Sequence, residues 1–163
     1  MSVYRFEDLR VWQAAKEQCD RLGQLIIRPE FLRDRPLSEQ MNAASISVMF
    51  NISEGFLRRR DKETMQFLRY AYASNGELKS GYYAAEGRRY VSPKETLELI
   101  ALNERIARML RRWQGTLHDR AKKTRTEGPR LDEGPRTDEG PRTNEGPRTD
   151  KGPRTDQEPS TKD

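Results

Sequence analysis

The chain has 163 residues, of which 31 are Lys or Arg, 26 are Asp or Glu, one is His and one is Cys, for a net charge of +5. One cysteine excludes an internal disulfide, and one histidine leaves a single candidate, His118, for any imidazole-based dyad. No run approaches the ~20 apolar residues needed to span a bilayer, and Met1–Arg10 carries charge without an apolar core, so a cytoplasmic chain without a leader or membrane segment is expected.

The spacing of Leu9, Trp12, Ala15, Cys19, Leu22 and Ile26 predicts a first helix over about residues 6–27, with Glu7 and Asp8 in its first turn. Trp12 lies on that stripe as a core anchor. Pro29 ends the pattern, and residues 28–35 read as a connection. Pro36 opens a second helix reaching about Ser53, with Met41, Ala44, Val48 and Ile52 as its seam. Gly55 suits the C-terminal stop of that helix, where positive φ is often required.

Phe56–Arg60 is a short basic turn, and Asp61 is positioned to cap the next helix. That third helix, about residues 62–86, carries the seam Leu68, Ala71, Asn75, Leu78, Tyr82 and Ala85. Asn75 is the polar member, able to fix register by bonding a neighbouring helix. Gly76 and Gly81 mark either close helix contacts or a bend. Ser92-Pro93-Lys94-Glu95 reads as a capping box opening a fourth helix to about His118. Its apolar side is Leu97, Ala101, Ile106, Leu110, Trp113 and Leu117.

Beyond Lys123 the composition changes. Five copies of a hexapeptide, Glu-Gly-Pro-Arg-Thr-Asp in its commonest form, run to Asp156. The unit has almost no apolar side chain, and Gly-Pro breaks helix and strand, so a disordered tail over 122–163 is expected behind a folded part over 1–121. The tail is either a neutral expansion or a tether carrying weak Arg contacts.

No spacing of His, Cys or carboxylates forms a metal or catalytic constellation, so neither an enzyme nor a cofactor is expected. Glu54 and Glu77 stand beside small residues near helix seams, where a structural hydrogen bond is the plain expectation. Two basic clusters remain: Arg58, Arg59, Arg60 and Lys62 at one turn, and Arg105, Arg108, Arg111 and Arg112 on the last helix. Alternating antiparallel helices would place that turn and the end of the last helix at one end of the molecule. The pattern fits phosphate binding, and the absence of interleaved aromatic residues keeps a solvated basic face as the alternative.

Phe6-x-Asp8-Leu9-x-Val11-Trp12-x-x-Ala15, then Gln40-Met41 with Ala44, Ser47 and Asn51-Ile52-x-Glu54-Gly55, then Phe67-Leu68-x-x-Ala71-x-x-Ser74-x-x-Glu77-Leu78 resemble the helix signatures of the 23S rRNA intervening-sequence proteins. The similarity spans about residues 4–117. It departs at Met49, where proline is usual, and at Asn42 and Ala43, where basic residues are common. The resemblance implies an all-α, antiparallel up-down four-helix bundle assembled as a homo-oligomeric ring, a pentamer. It also implies structural roles for Asp8, Trp12, Asn51, Glu54, Gly55 and Glu77. The accessory proteins of diversity-generating retroelements are similar in fold. By that route RNA, DNA or a protein such as a reverse transcriptase becomes an expected partner. The function expected is a non-enzymatic scaffold binding nucleic acid, or alternatively a protein-interaction adaptor.

Overall fold

A computed structural model describes residues 4–126, and the hexapeptide repeats lie outside them. The described residues are helical with no strand. A 3₁₀ turn, Phe6–Asp8, precedes α1 (Arg10–Ile26), α2 (Pro29–Arg33), α3 (Arg35–Leu57), α4 (Asp61–Gly87) and α5 (Pro93–Thr126). The all-α expectation is met.

The four long helices pack in a cycle: α1 on α3, α3 on α4, α4 on α5, and α5 on α1. Side-chain pairs show the sense of each contact. Along α3 and α4, Gln40 meets Glu77, Ser47 meets Ser74 at 2.8 Å, and the Gly55 carbonyl accepts from Thr64 Oγ1 at 2.8 Å. Rising numbers on α3 meet falling numbers on α4, so the two run in opposite senses. Asn75 against Asn103 and Tyr72 against Arg111 give the same result for α4 and α5.

The core is divided into two apolar clusters. One holds Val11, Ala15, Val48, Ile52, Leu68, Ile106 and Leu110, the other Leu22, Phe31, Met41, Leu78, Tyr82 and Leu99. Each long helix supplies one buried polar residue between its contributions to the two: Gln18, Ser45, Asn75 and Asn103. Three of these four form one network. Asn75 Nδ2 donates to the Asn103 carbonyl at 3.0 Å and to its Oδ1 at 3.1 Å. Asn103 Nδ2 donates back to the Asn75 carbonyl at 2.7 Å, and Gln18 Nε2 donates to Asn75 Oδ1 at 3.1 Å. The amides thus offset much of their desolvation, and they do so in one register only.

Several sequence expectations shift. The first helix starts at Arg10, not Phe6, because Leu9 is extended and ends the 3₁₀ turn; Glu7 and Asp8 sit in that turn. The buried stripe of α1 is Val11, Ala14, Ala15, Gln18, Leu22 and Leu25, so Trp12, Cys19 and Ile26 stand at its margin. Residues 29–33, read as connection, form α2, started by Pro29 and anchored by the fully buried Phe31. Asp61 is the first residue of α4 and makes no capping bond; the cap position belongs to Arg60. On α5 the expected Leu97 and Ala101 face outward, and Leu99, Ile100 and Leu102 are buried instead.

Gly81 lies where an added Cβ would stand 2.6 Å from Met41 Cγ, so its role is close α3–α4 contact. The capping box is present: Ser92 N donates to Glu95 Oε2 at 2.8 Å, and Glu95 N donates to Ser92 Oγ at 3.3 Å. Arg28 on the loop after α1 pairs with Glu95 at 2.8 Å. The Ser92 backbone N–H, then the Arg28 guanidinium, pull the Glu95 carboxyl down to about 2.

Two outcomes are expected. Asn75→Ala, which strips partners from Asn103 and Gln18 together, should lower unfolding free energy by about 2–4 kcal/mol in urea denaturation. A depressed carboxyl stabilises above its unfolded value and loses that contribution as pH falls through the folded one. Wild-type stability should therefore decline from pH 4.5 towards 2 with a component that Glu95→Gln lacks, read from denaturation midpoints across that window.

Candidate nucleic-acid interface

The turn between α3 and α4 is built by an arginine in a conformation that glycine favours. α3 runs through Gly55 to Leu57 and ends with Arg58 N donating to the Glu54 carbonyl at 3.1 Å. Arg59 then takes φ 55°, and Arg60 returns to extended backbone to start α4. Gly55 is helical and is not the stop expected for it. Its requirement is space: an added Cβ would lie 3.1 Å from Phe67 Cβ. The left-handed region costs a non-glycine residue about 1–2 kcal/mol, which here goes to placing a cation. Arg89 repeats the device after α4 with φ 62°, where Tyr90 N donates to the Ala85 carbonyl at 2.9 Å.

The four expected cations of the turn differ in their surroundings. The Arg58 guanidinium lies 5.3 Å from the Phe67 ring centroid and is also bonded to Glu54. Phe67 in turn meets Tyr70 edge to face, with centroids 6.2 Å apart. Arg60 makes a long 3.4 Å contact with Glu63 and is 81% exposed. Arg59 and Lys62 have no ion pair among the described residues.

On α5, Arg111 donates to the Tyr72 hydroxyl and its guanidinium lies 5.0 Å from that ring centroid. Arg111 and Arg108 border a groove between α4 and α5, with Lys79 and Glu104 beside them paired at 2.8 Å. That bond raises the Lys79 ammonium and lowers the Glu104 carboxyl. Arg105 borders a different hollow, with Glu17 and Arg21 of α1. Arg105, Arg108 and Arg112 are without ion pairs among the described residues.

One shallow cleft joins the start of α4 to the end of α5: Asp61, Lys62, Gln66 and Arg69 face Leu117, His118 and Ala121. The basic turn and the end of α5 therefore share one end of the molecule. The α5 arginines do not all lie there. Arg111 is ten residues before Ala121, about 15 Å along the helix, and Arg105 is about 24 Å away. The helical continuation that stands at this end was not expected from sequence. α5 continues past Ala121 to Thr126 and adds Lys122, Lys123 and Arg125 to Arg120, all exposed. No glycine or proline interrupts residues 116–126, a signal that could have extended the helix. Residues 1–126 then carry 24 basic and 16 acidic side chains, net +8.

The motif residues have local tasks. Trp12 is half-buried and meets Phe6 edge to face at 5.2 Å, while Asp8 is exposed. Asn51 Nδ2 donates to the Ser47 carbonyl at 2.8 Å, and Ser47 bonds Ser74 across to α4. Glu77 accepts from Gln40, and Glu54 from Arg58. Tyr82, wholly buried, has its phenol pushed up by burial. No three of His, Cys, Asp or Glu cluster as metal ligands among the described residues.

The Ser47–Ser74 and Gln40–Glu77 contacts tie the second and third motifs together, Val11 and Ala15 of the first share a core cluster with Ile52 and Leu68, and one family model matches residues 7–112. The chain belongs to the 23S rRNA-intervening sequence protein family. The match covers α1 to α4 and most of α5, and it ends before the basic extension of that helix. No curated protein matches the chain. Among the described residues no helix is long and apolar enough to cross a membrane.

The left-handed Arg59 gives this family member a direct test of strain. Arg59→Gly should raise unfolding free energy by about 0.5–1 kcal/mol, the left-handed cost less the added backbone entropy of glycine. Thermal denaturation of the variant against wild type measures it; a loss of stability would show that the Arg59 side chain contributes more than its backbone costs.

Proposed function

We propose that the chain is a non-enzymatic, oligomeric scaffold that binds RNA or DNA through the end of the molecule where the α3–α4 turn meets the tip of α5. The observation that carries this reading is the excess of cations there. Arg59 and Lys62 have no ion pair among the described residues, Arg60 has only its long contact, and the α5 tip adds four more basic residues. Phosphates meeting such a surface release condensed counterions, so affinity comes from many weak contacts. Repetition of the surface around an assembly of copies would multiply it.

Assembly is supported by the outer side of α3. Residues 40–53 include no charged side chain, and Phe50 and Leu57 are 66% and 60% exposed on the side away from the core. The same apolar face supports a second reading, an adaptor whose partner is another protein and whose charge steers encounter.

A salt titration of binding separates the two. The full chain should bind labelled RNA or DNA with log K falling linearly against log salt. Replacing Arg59, Arg60 and Lys62 together by Ala should make the slope shallower by about 2, at ~0.7–0.9 for each phosphate no longer neutralised. Absence of binding at low salt, with capture of one protein that resists salt, would instead establish the adaptor. Sedimentation of the full chain should give multiples of 19.0 kDa.

A further inference from the structure

We infer that the preferred ligand is single-stranded nucleic acid, with an unpaired base stacking on Tyr70 beside the basic turn. The inference rests on the proposed function above and deepens it by naming the strand state.

Charge alone does not discriminate strands, because single strands and duplexes both present phosphates. What discriminates is an aromatic face available to a base, since base faces are covered in a duplex and open in a single strand. The structure places such a face where the sequence showed none. Phe67 and Tyr70 are three residues apart on α4 and so share one side of the helix. Arg58 reaches that side from the end of α3. Its guanidinium lies 5.3 Å from the Phe67 centroid and donates to Glu54.

The three groups form a stepped surface. Phe67 is half-buried and anchors it, because Gly55 lets its Cβ come close to α3. Tyr70 stands edge to face against Phe67 at an interplanar angle of 81° and is 50% exposed. The edge contact restrains the tyrosine ring while leaving area open, which lowers the ordering cost of a stack. Arg59, Arg60 and Lys62 follow at the turn, Lys62 about 12 Å along α4 from Tyr70, available to phosphates further along the same strand. Arg58 itself, a planar cation lying against a ring, can also face a base. Of the carboxylates here, Glu54 is taken by Arg58 and Glu63 makes the long contact with Arg60, while Asp61 stands between Arg60 and Lys62.

The experiment uses the full chain and two labelled probes, an oligothymidylate of about 20 nucleotides and a DNA duplex of the same length. Such probes exceed the ~4–16 nucleotides that single-strand binding domains commonly cover. Fluorescence anisotropy of wild type, Tyr70→Ala and Tyr70→Phe is compared at one salt concentration and across a salt series. Tyr70 is exposed, and unchanged circular dichroism and melting confirm that the variants fold.

Tighter binding of the single strand by wild type is expected. Tyr70→Ala should then bind it about tenfold more weakly, within the range of one base stack removed, with the salt slope and duplex affinity unchanged. Tyr70→Phe, which keeps the ring, should bind like wild type. Equal binding of both probes, or a Tyr70→Ala affinity equal to wild type, would overturn the stacking inference while leaving phosphate binding intact. Binding of neither probe at low salt would overturn both.

Discussion

The fold depends on the buried amide network of Gln18, Asn75 and Asn103. Apolar packing alone would tolerate sliding of one helix past another by a turn, since leucine and alanine seams look alike after each turn. Amides do not tolerate it. A one-turn slip of α4 against α5 would break four hydrogen bonds between Asn75 and Asn103 and leave the buried Asn103 side chain without them. The network also reaches α1 through Gln18, so three helices share one register. Ser45 places the fourth helix's polar residue among the two core clusters, though its hydroxyl has no partner among the described residues. Register at this level fixes everything further along the helices, because a helix transmits axial position rigidly.

The candidate interface is where that transmission arrives. From Asn75 the contacts step outwards along α3 and α4: Ser47 with Ser74, then Gly55 with Thr64, then the turn itself. Glycine at 55 allows the two helices to close on each other beside Phe67. With the helices this near, the chain has only Arg58, Arg59 and Arg60 in which to reverse, and a left-handed residue is the short solution. Glycine would serve that geometry at lower strain. The presence of Arg59 instead places a cation at the apex, and strain held at a polar surface position is the kind of feature that accompanies binding.

The seam of α4 was legible in the sequence residue by residue, Asn75 included, because α4 is buried along a full heptad stripe flanked by polar positions. The capping box was legible because its bonds are local. The phase of α5 was harder to read. Leu97 is apolar but faces solvent near the helix start, and following it rotates the predicted stripe away from Leu99 and Leu102. α2 was missed because its five residues, opened by Pro29, carry no period; Phe31 is buried by tertiary contact, which no local pattern reveals. At the candidate site the sequence showed the turn's cations but not their aromatic neighbours. Arg58 and Phe67 are nine positions apart, and only the helical reversal brings one over the other. All-helical character and family motifs were thus readable, while the chemistry of the surface was set by contacts between helices.

The tip of α5 follows a different logic from the rest. Leu117 is its last buried residue, and positions 118–126 bury nothing. Their helicity rests on propensity, on continuity with a packed helix and on cations near a helix C-terminus, terms worth a few tenths of a kcal/mol each. Asp119 is the one acid within residues 118–126, and repulsion among the like charges of Arg120, Lys122 and Arg125 opposes those terms. Under the proposed nucleic-acid binding, phosphates lying against the tip would reduce that repulsion and leave the favourable terms. The helix that closes the core with Ile106 and Leu110 thus ends in a basic segment that buries nothing.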